Sequence, residues 1–340
     1  MREAFGQTFD TPAGYLNTAS IGVPPTAVAD AVSAAVERWR GGVDVPPGFD
    51  VDVAAARTAF AALVGTDAAR VAIGASAAQL VAIAAASVPD GSRVLAPAGE
   101  FTSTTFPFAA QAHRGIKITE VPLAEIPDAM RDHDVLTASV VQSSDGALLD
   151  LAAVRRNSEG VTVVLDVTQA LGWLPLSDLG WADYVIGASY KWLMAPRGAA
   201  WMAVHPDVLD RSRPINANWY AGEDPWQTVY GLPLRLAGDA RRLDLSPTWF
   251  AQVGAAVALP WLASLDMEAV RRHNVGLAND FLARLGLPPG DSAIVSVDAD
   301  PERLAAAGVR HSLRAGRVRL SFALSNTPDD VDLVCQALIR

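Results

Sequence analysis

Between residues 71 and 204 short apolar runs recur, separated by Gly, Pro, Asp and stretches of helical periodicity. The runs are "RVAIGA" (70–75), "SRVLAPA" (92–98), "IKITEVPL" (116–123), "VLTASVVQ" (135–142), "VTVVLDV" (161–167), "YVIGASY" (184–190) and "AAWMAV" (199–204). Runs of this length, rich in β-branched and apolar residues, suit strands buried on both faces. "SAAQLVAIAAASV" (76–88) instead spreads its apolar residues over a wide helical stripe. The alternation predicts a mostly parallel sheet covered by helices.

After residue 213 the pattern changes. "RPINANWYAGEDPWQTVYGLPLRL" is rich in aromatics, Pro and Gly and predicts a long irregular crossover over 213–235. Connections of that length are usually functional or covered by a partner. Trp219, Tyr220, Trp226 and Tyr230 would line either a substrate pocket or a dimer interface. A long apolar helix follows in "WFAQVGAAVALPWLASL", then an amphipathic one in "MEAVRRHNVGLANDFLARLGL". The segment "GRVRLSFALSNTPDDVDLVCQALIR" reads as a strand, an Asn-Thr-Pro helix start and a terminal helix. The fold class is therefore α/β: a large domain over residues 14–235, with a smaller C-terminal α+β domain over 236–340.

Composition narrows the class. Of 340 residues 51% are hydrophobic and 19% charged, the balance of a globular protein. A net charge of −10 argues against nucleic acid or an anionic membrane as partner. No run reaches the ~18 apolar residues of a membrane span, and the first twenty residues lack the signature of a signal peptide. The single cysteine rules out an internal disulfide and fits a reducing cytoplasm. Five histidines (113, 133, 205, 273, 311) share no ligand spacing, so no metal site is expected.

The charged residues then point to chemistry. Lys and Arg together number 27, and only Lys117 and Lys191 are lysine. Lys191 stands just past the apolar strand "YVIGASY", between tyrosine and tryptophan, and Asp166 closes the preceding strand "VVLD". Ligands of parallel α/β sheets gather at the carboxyl ends of strands. An amine and a carboxylate held there suit pyridoxal phosphate: lysine condenses with its aldehyde, which arginine, never deprotonated, does not do. Aspartate would keep the pyridine nitrogen protonated so that the ring accepts electrons. From spacing alone, a buried Asp–Lys ion pair would look the same. "AIGASAAQL" places Ser76 and Ala77 between a strand and a helix, where backbone amides and the helix dipole favour a phosphate. Phe101, after another strand in "AGEFTST", would stack on a cofactor ring or simply fill the core.

Taken together, "VLDVTQALG…ADYVIGASYKW…PRG" resembles the aminotransferase class V family of fold-type I (aspartate aminotransferase-like) pyridoxal phosphate enzymes. "YLNTASIG" is similar to that family's N-terminal "YLDNAATG", "GASAAQL" to its phosphate loop, and "EFTST" to its ring-stacking position. "RVRLSFALSNTPDDVD" is similar to its C-terminal "R-x-S-x-x-x-x-N-T-x-x-(E/D)-(I/V)-D". The resemblance implies pyridoxal 5'-phosphate held by Lys191, which also moves the Cα proton, with Asp166 at the ring nitrogen and Gln169 at the ring oxygen O3'. It implies Phe101 stacked on the ring, and Ser76, Ala77, Ser189 and Tyr190 at the phosphate. Arg319 would clamp the substrate carboxylate, a task for a bidentate guanidinium, with Asn17 and Ser20 on the substrate side. Ser246 or Thr248, in "RRLDLSPTWF", would reach the phosphate of a neighbouring subunit, although the family's glycine-threonine pair is missing there. A homodimer with its active site at the subunit boundary is implied.

The reaction is the open part. Desulfuration needs a thiolate nucleophile, yet Cys335 shares a helical face with Val331, Val334 and Leu338 and reads as packing. β-Elimination asks for one base, an electron sink and a leaving group on Cβ. "YKWLMAPRGAAWMAVHPDVLDRSRP" is also similar to the C–S lyases of ergothioneine biosynthesis. The expectation is a C–S lyase acting on an S-substituted cysteine or cysteine sulfoxide. An aminotransferase, an epimerase, a desulfurase-like protein without its cysteine, and a cofactor-free binding protein on the same scaffold remain the alternatives.

Overall fold

The computed structural model describes residues 1–339. An N-terminal antiparallel ribbon pairs β1 (Arg2–Ala4) with β2 (Gln7–Phe9). The central sheet takes β3 (Val71–Gly74), β4 (Arg93–Pro97), β5 (Lys117–Val121), β6 (Val135–Ser139), β7 (Thr162–Asp166), β8 (Tyr184–Ala188) and β9 (Ala200–Val204). Their spatial order is β3-β9-β8-β7-β6-β4-β5. A small antiparallel sheet, in the order β10-β12-β11, is built from β10 (Ile294–Val297), β11 (Ser312–Arg314) and β12 (Arg317–Ser321).

The expected α/β architecture is present, and the seven apolar runs are the seven strands of the central sheet. β6, β8 and β9 are buried at every residue, so their continuous apolar runs carry no alternation. β5, at the edge, is mostly exposed and more polar. From β5 through β8 all neighbours run parallel, whereas β9 is antiparallel to both β8 and β3. The reversal follows from loop length: a parallel return needs a crossover of a dozen or more residues, usually a helix. Residues 189–199 are too few for that, so the chain folds straight back.

Helices cover both faces. Leu80, Val81, Ile83 and Ala84 of the helix Ala77–Ser87 meet Val94, Val164 and Ile186 on one side. On the other side Phe60 and Trp201 stack with centroids 5.6 Å apart, in a core that includes Trp173, Leu259 and Leu262. The helix Trp249–Ala263 packs against the helices Thr26–Arg40 and Asp50–Val64. A separate core of Phe281, Leu304, Val318, Leu320, Phe322 and Val334 lies under the small sheet. The crossover over 213–235 is irregular apart from single 3-10 turns at Trp219–Ala221 and Pro225–Gln227. Among the described residues no single helix is long and apolar enough to cross a membrane.

Candidate active site

Lys191 owes its position to the short β8–β9 return. Ser189 N donates to Ala199 O at 3.0 Å, Ala195 N to Ser189 O at 3.1 Å and Met194 N to Lys191 O at 3.1 Å, with Met194 held at φ +50°. Two glycines press on this loop from outside. Gly22 N donates to Tyr190 O at 2.9 Å, and a Cβ on Gly22 would lie 2.0 Å from Lys191 O. A Cβ on Gly172, at φ +109°, would lie 2.5 Å from Trp192 O. Only a bare backbone fits at either place.

The Lys191 side chain is 6% exposed, and burial pushes its pKa down to about 8. Asp166 opposes that shift, while Arg319, Arg314 and Arg197 add to it. Asp166 ends β7, is buried and accepts from Thr168 N at 2.7 Å. Burial pushes its carboxyl up, against hydrogen bonds from Thr168 and the charge of Lys191. The Phe101 ring faces the lysine amine at 5.3 Å, and the Arg197 guanidinium lies over Tyr190 at 5.1 Å.

Opposite them the helix Ala77–Ser87 opens into the cleft. Ser76 caps it by accepting from Gln79 N at 3.3 Å, and Ala75 N donates to Gln79 Oε1 at 3.0 Å. Gln79 Nε2 is buried and has no partner in the structure. The cleft between them is partly open, and its lining includes Ala75, Ser76, Ala77, Phe101, Asp166 and Lys191. A helix start with a spare donor suits a phosphate. An amine whose pKa burial lowers to about 8, a buried carboxylate and an exposed aromatic face suit the rest of a pyridoxal phosphate ring. The donor set fits the cofactor.

Beside the cleft, joined to its lining residue Ser143, lie segments distant in sequence. Arg319, on β12, is 2% exposed, and burial lowers its pKa to about 10. It donates to Ser143 O, to Ser143 Oγ at 3.1 Å and to Ser20 Oγ at 2.8 Å, and no carboxylate among the described residues forms an ion pair with it. A buried guanidinium without a counter-ion, three of its five N–H groups held by Ser143 and Ser20, is arranged to receive an anion. The N-terminal segment is fastened beside it: Ser321 Oγ accepts from Ala19 N at 3.0 Å, and Asn326 Nδ2 donates to Tyr15 O at 3.0 Å. Asp330 accepts from Gly14 N at 2.8 Å and from Arg2. The "N-T-P-D-D" signature is thus a clasp for residues 14–20. Asn17 lies in that segment and leaves Oδ1 buried without a partner.

Gln169 lines the cleft, but not every expected residue offers it a free polar group. The Gln169 amide is engaged within the protein: Nε2 donates to Ala19 O at 3.0 Å and Ser143 Oγ at 3.1 Å, and Oε1 accepts from Trp192 at 3.0 Å. To serve a ring oxygen it would exchange one of these bonds. The Ser189 hydroxyl turns away to Pro196 O. Ser246 and Thr248, expected at the phosphate of a neighbouring subunit and not at this one, lie outside this cleft, and Thr248 Oγ1 donates to Gly198 O at 2.6 Å. Several lining residues had gone unnoticed: Ser103, Ser139, Ser143, Thr168 and Arg197. Ser139 and Thr168 stand at strand ends, where the carboxyl-end rule would have found them. Behind them Glu100 is buried, accepting from Ser139 N at 2.7 Å, Ser139 Oγ at 2.7 Å, Gln142 Nε2 at 3.0 Å and Phe101 N at 2.7 Å. That carboxylate fixes the backbone from which Phe101 projects.

Fold and cleft together have the architecture of a fold-type I scaffold, with a buried lysine at the carboxyl ends of the strands. Residues 23–307 match the sequence profile described as Aminotransferase class-V, and the chain belongs to that family, whose cofactor is pyridoxal 5'-phosphate. Among relatives, an uncharacterized aminotransferase, YcbU, of Bacillus subtilis (strain 168) is 26% identical over 234 residues, 64% of this chain and 60% of that protein. Isopenicillin N epimerase of Streptomyces clavuligerus is 27% identical over 249 residues, 63% and 58% of the two chains. A probable hercynylcysteine sulfoxide lyase of Mycobacterium tuberculosis (strain CDC 1551 / Oshkosh) is 27% identical over 237 residues, 61% and 56%. The match spans less than two thirds of the length of each of these relatives. The cystine C–S lyase C-DES, solved with its product cysteine persulfide, superposes with a TM-score of 0.84 at 18% identity, covering 96% of this chain and 97% of that one. An apo cysteine desulfurase from Thermococcus onnurineus NA1 gives 0.82 at 16% identity, covering 95% and 93%. These two likenesses show the fold.

Proposed function

We propose that the protein is a pyridoxal phosphate-dependent C–S lyase that cleaves S-substituted cysteines or cysteine sulfoxides by β-elimination. With water, the substrate gives pyruvate, ammonium and a thiol, or a sulfenate from a sulfoxide; the C–S bond breaks as the Cα proton leaves. The observation that supports this reading is that Lys191 in the cleft and Arg319 beside it are suited to act as base and carboxylate clamp, while no thiol is among the cleft's lining residues. The single cysteine, Cys335, is 4% exposed in the core of the small sheet. The relationship to a probable hercynylcysteine sulfoxide lyase supports the same chemistry.

When bound, the cofactor supplies an electron sink for the carbanion at the substrate Cα. Lys191 Nζ takes the Cα proton; a pKa near 8 leaves a useful fraction of the amine neutral at ordinary pH. Asp166 holds the proton on the pyridine nitrogen. Arg319 fixes the substrate carboxylate and so the face of Cα that meets the lysine. Phe101 covers the ring, and the helix start at Ser76 and Ala77 takes the phosphate, with Tyr190 and Arg197 alongside. We further place the protein in the cytoplasm as a homodimer. Exposed Tyr230, Leu232 and Leu234 on the crossover give a second copy an apolar surface to cover.

The test is to incubate the holoenzyme with a panel of S-substituted cysteines and their sulfoxides and assay pyruvate, alanine and keto acids. Pyruvate with released thiol or sulfenate, lost in Lys191→Ala, is expected. No pyruvate from any member, with turnover only when a keto-acid acceptor is added, would overturn elimination in favour of transamination. The epimerase and aminotransferase relatives make inversion at Cα and transamination the competing readings.

A further inference from the structure

The β11–β12 hairpin places a second cation beside the substrate clamp. In its register Ser312 lies opposite Arg319, and Arg314 lies opposite Arg317. Residues directly opposite share a face, as do alternate residues along a strand, so Ser312, Arg314, Arg317 and Arg319 stand on one side of the hairpin. Val318 and Leu320 point the other way, into the small core. On the shared face Arg319 is buried, and Ser312 Oγ, directly opposite it, is buried without a partner. Arg317 turns aside to Ser296, with Nε to Oγ at 3.2 Å and Nη2 to O at 3.2 Å. Arg314 is exposed and donates only to the adjacent Leu313 O, at 2.7 Å. Ala315 at φ +47° and Gly316 at φ +77° form the turn that holds it at the hairpin tip.

The charges around the cleft do not balance. Arg197, Arg314 and Arg319 all bear on Lys191, and Arg314 also bears on Arg319. None of the three is in an ion pair with a carboxylate among the described residues. The cofactor phosphate is one anion for the Tyr190–Arg197 side, and the substrate's α-carboxylate is one for Arg319. Arg314 is left over, further out along the same face, where the tail of an amino acid held by Arg319 would emerge.

We propose that Arg314 is a specificity residue that recognises an anionic group on the sulfur substituent, so that the preferred substrates are S-substituted cysteines with an acidic tail. The proposal rests on the elimination reading of the cleft for the identity of the substrate, and its test separates the two. Holoenzyme is titrated with S-carboxymethyl-L-cysteine and with its neutral isostere S-carbamoylmethyl-L-cysteine. Dissociation constants come from the change in cofactor absorbance, and pyruvate release is followed in parallel. Wild type should favour the acid by about fivefold, the scale of a single exposed ion pair, and the preference should shrink at high salt. Arg314→Gln should remove the preference by weakening the acid alone. Equal binding of the two ligands by wild type, or equal weakening of both in Arg314→Gln, would overturn the proposal; the latter would mean that Arg314 shares the α-carboxylate. A preference for the acid without pyruvate from either compound would sustain the Arg314 assignment and sink the lyase.

Discussion

The guanidinium of Arg319 donates to Ser20 Oγ at 2.8 Å, although the two residues are 299 positions apart in the chain. This bond joins the small sheet to the N-terminal segment at the wall where an amino acid would lie, and it orients the guanidinium without neutralising it.

Removing that group should abolish carboxylate recognition. For Arg319→Ala we expect kcat/KM to fall roughly 10- to 150-fold, the worth of a charge-assisted hydrogen bond, mostly through KM. Arg319→Lys should recover little, because a point charge does not reproduce the planar fork. Cofactor absorbance should be unchanged in both. Unaltered KM in the alanine variant would remove Arg319 from the substrate site.

The pKa of Lys191 sets a pH dependence that can be read without substrate. Only the neutral amine attacks an aldehyde, so capture of pyridoxal phosphate by the apoenzyme should accelerate with pH through a midpoint of about 8. The sign for stability is the same. An unfolded lysine titrates near 10.4, so between about pH 8 and 10.4 the unfolded chain binds the extra proton. The penalty of a buried charged amine therefore acts in full below pH 8 and fades as pH rises through that window. Stopped-flow reconstitution across pH checks it; a midpoint at the ordinary lysine value would contradict the burial argument.

Asp166→Asn keeps the shape of the β7 end but gives up the charge. We expect the variant to bind pyridoxal phosphate and to lose roughly 10²–10³-fold in kcat, the size of one removed electrostatic stabiliser. Wild-type turnover in this variant would show that the ring nitrogen needs no carboxylate partner here.

The clasp at Asp330 should be sensitive to acid. Burial alone would push this carboxyl up, but hydrogen bonds from Arg2, Asn326, Gly14 and Thr327 hold it below the ordinary aspartate value. A depressed carboxyl stabilises the fold above its unfolded pKa, near 4, and that contribution disappears as pH falls further. Asp330→Asn should cost about 1–3 kcal/mol at neutral pH. Urea midpoints for variant and wild type should converge in strong acid. A difference that persists there would mean the loss is packing and not charge.

Cys335→Ala separates elimination from persulfide chemistry. The side chain belongs to the same buried core as Val331 and Val334, so we expect full activity and a loss of stability of about 1 kcal/mol. Loss of turnover in a folded variant would bring back the desulfurase reading.

What could be read from sequence follows the physics of each feature. The seven strands were legible because two-sided burial leaves uninterrupted apolar runs. Lys191 and Asp166 were legible because ionisable groups at the ends of such runs are costly unless used. The direction of β9 was not in its own residues; it lay in the shortness of the segment before it. Ser143 was silent, since a serine in a loop looks the same whether it faces water or bridges Gln169 and Arg319. Gln169 and Ser189 occupy motif positions, yet their polar groups are already engaged by Ala19 and Pro196, and only coordinates reveal such commitments.

The seam between residues 14–22 and 319–330 also imposes an order on the protein's birth. The strands and helices that line the cleft are all translated before residue 205, whereas Arg319 and its clasp emerge more than a hundred residues afterwards. Ser20, made 299 residues before Arg319, must wait for it, as must Asn17 beside it. On the ribosome the cleft's strands exist before Arg319 does, so recognition of an amino acid by Arg319 comes after them.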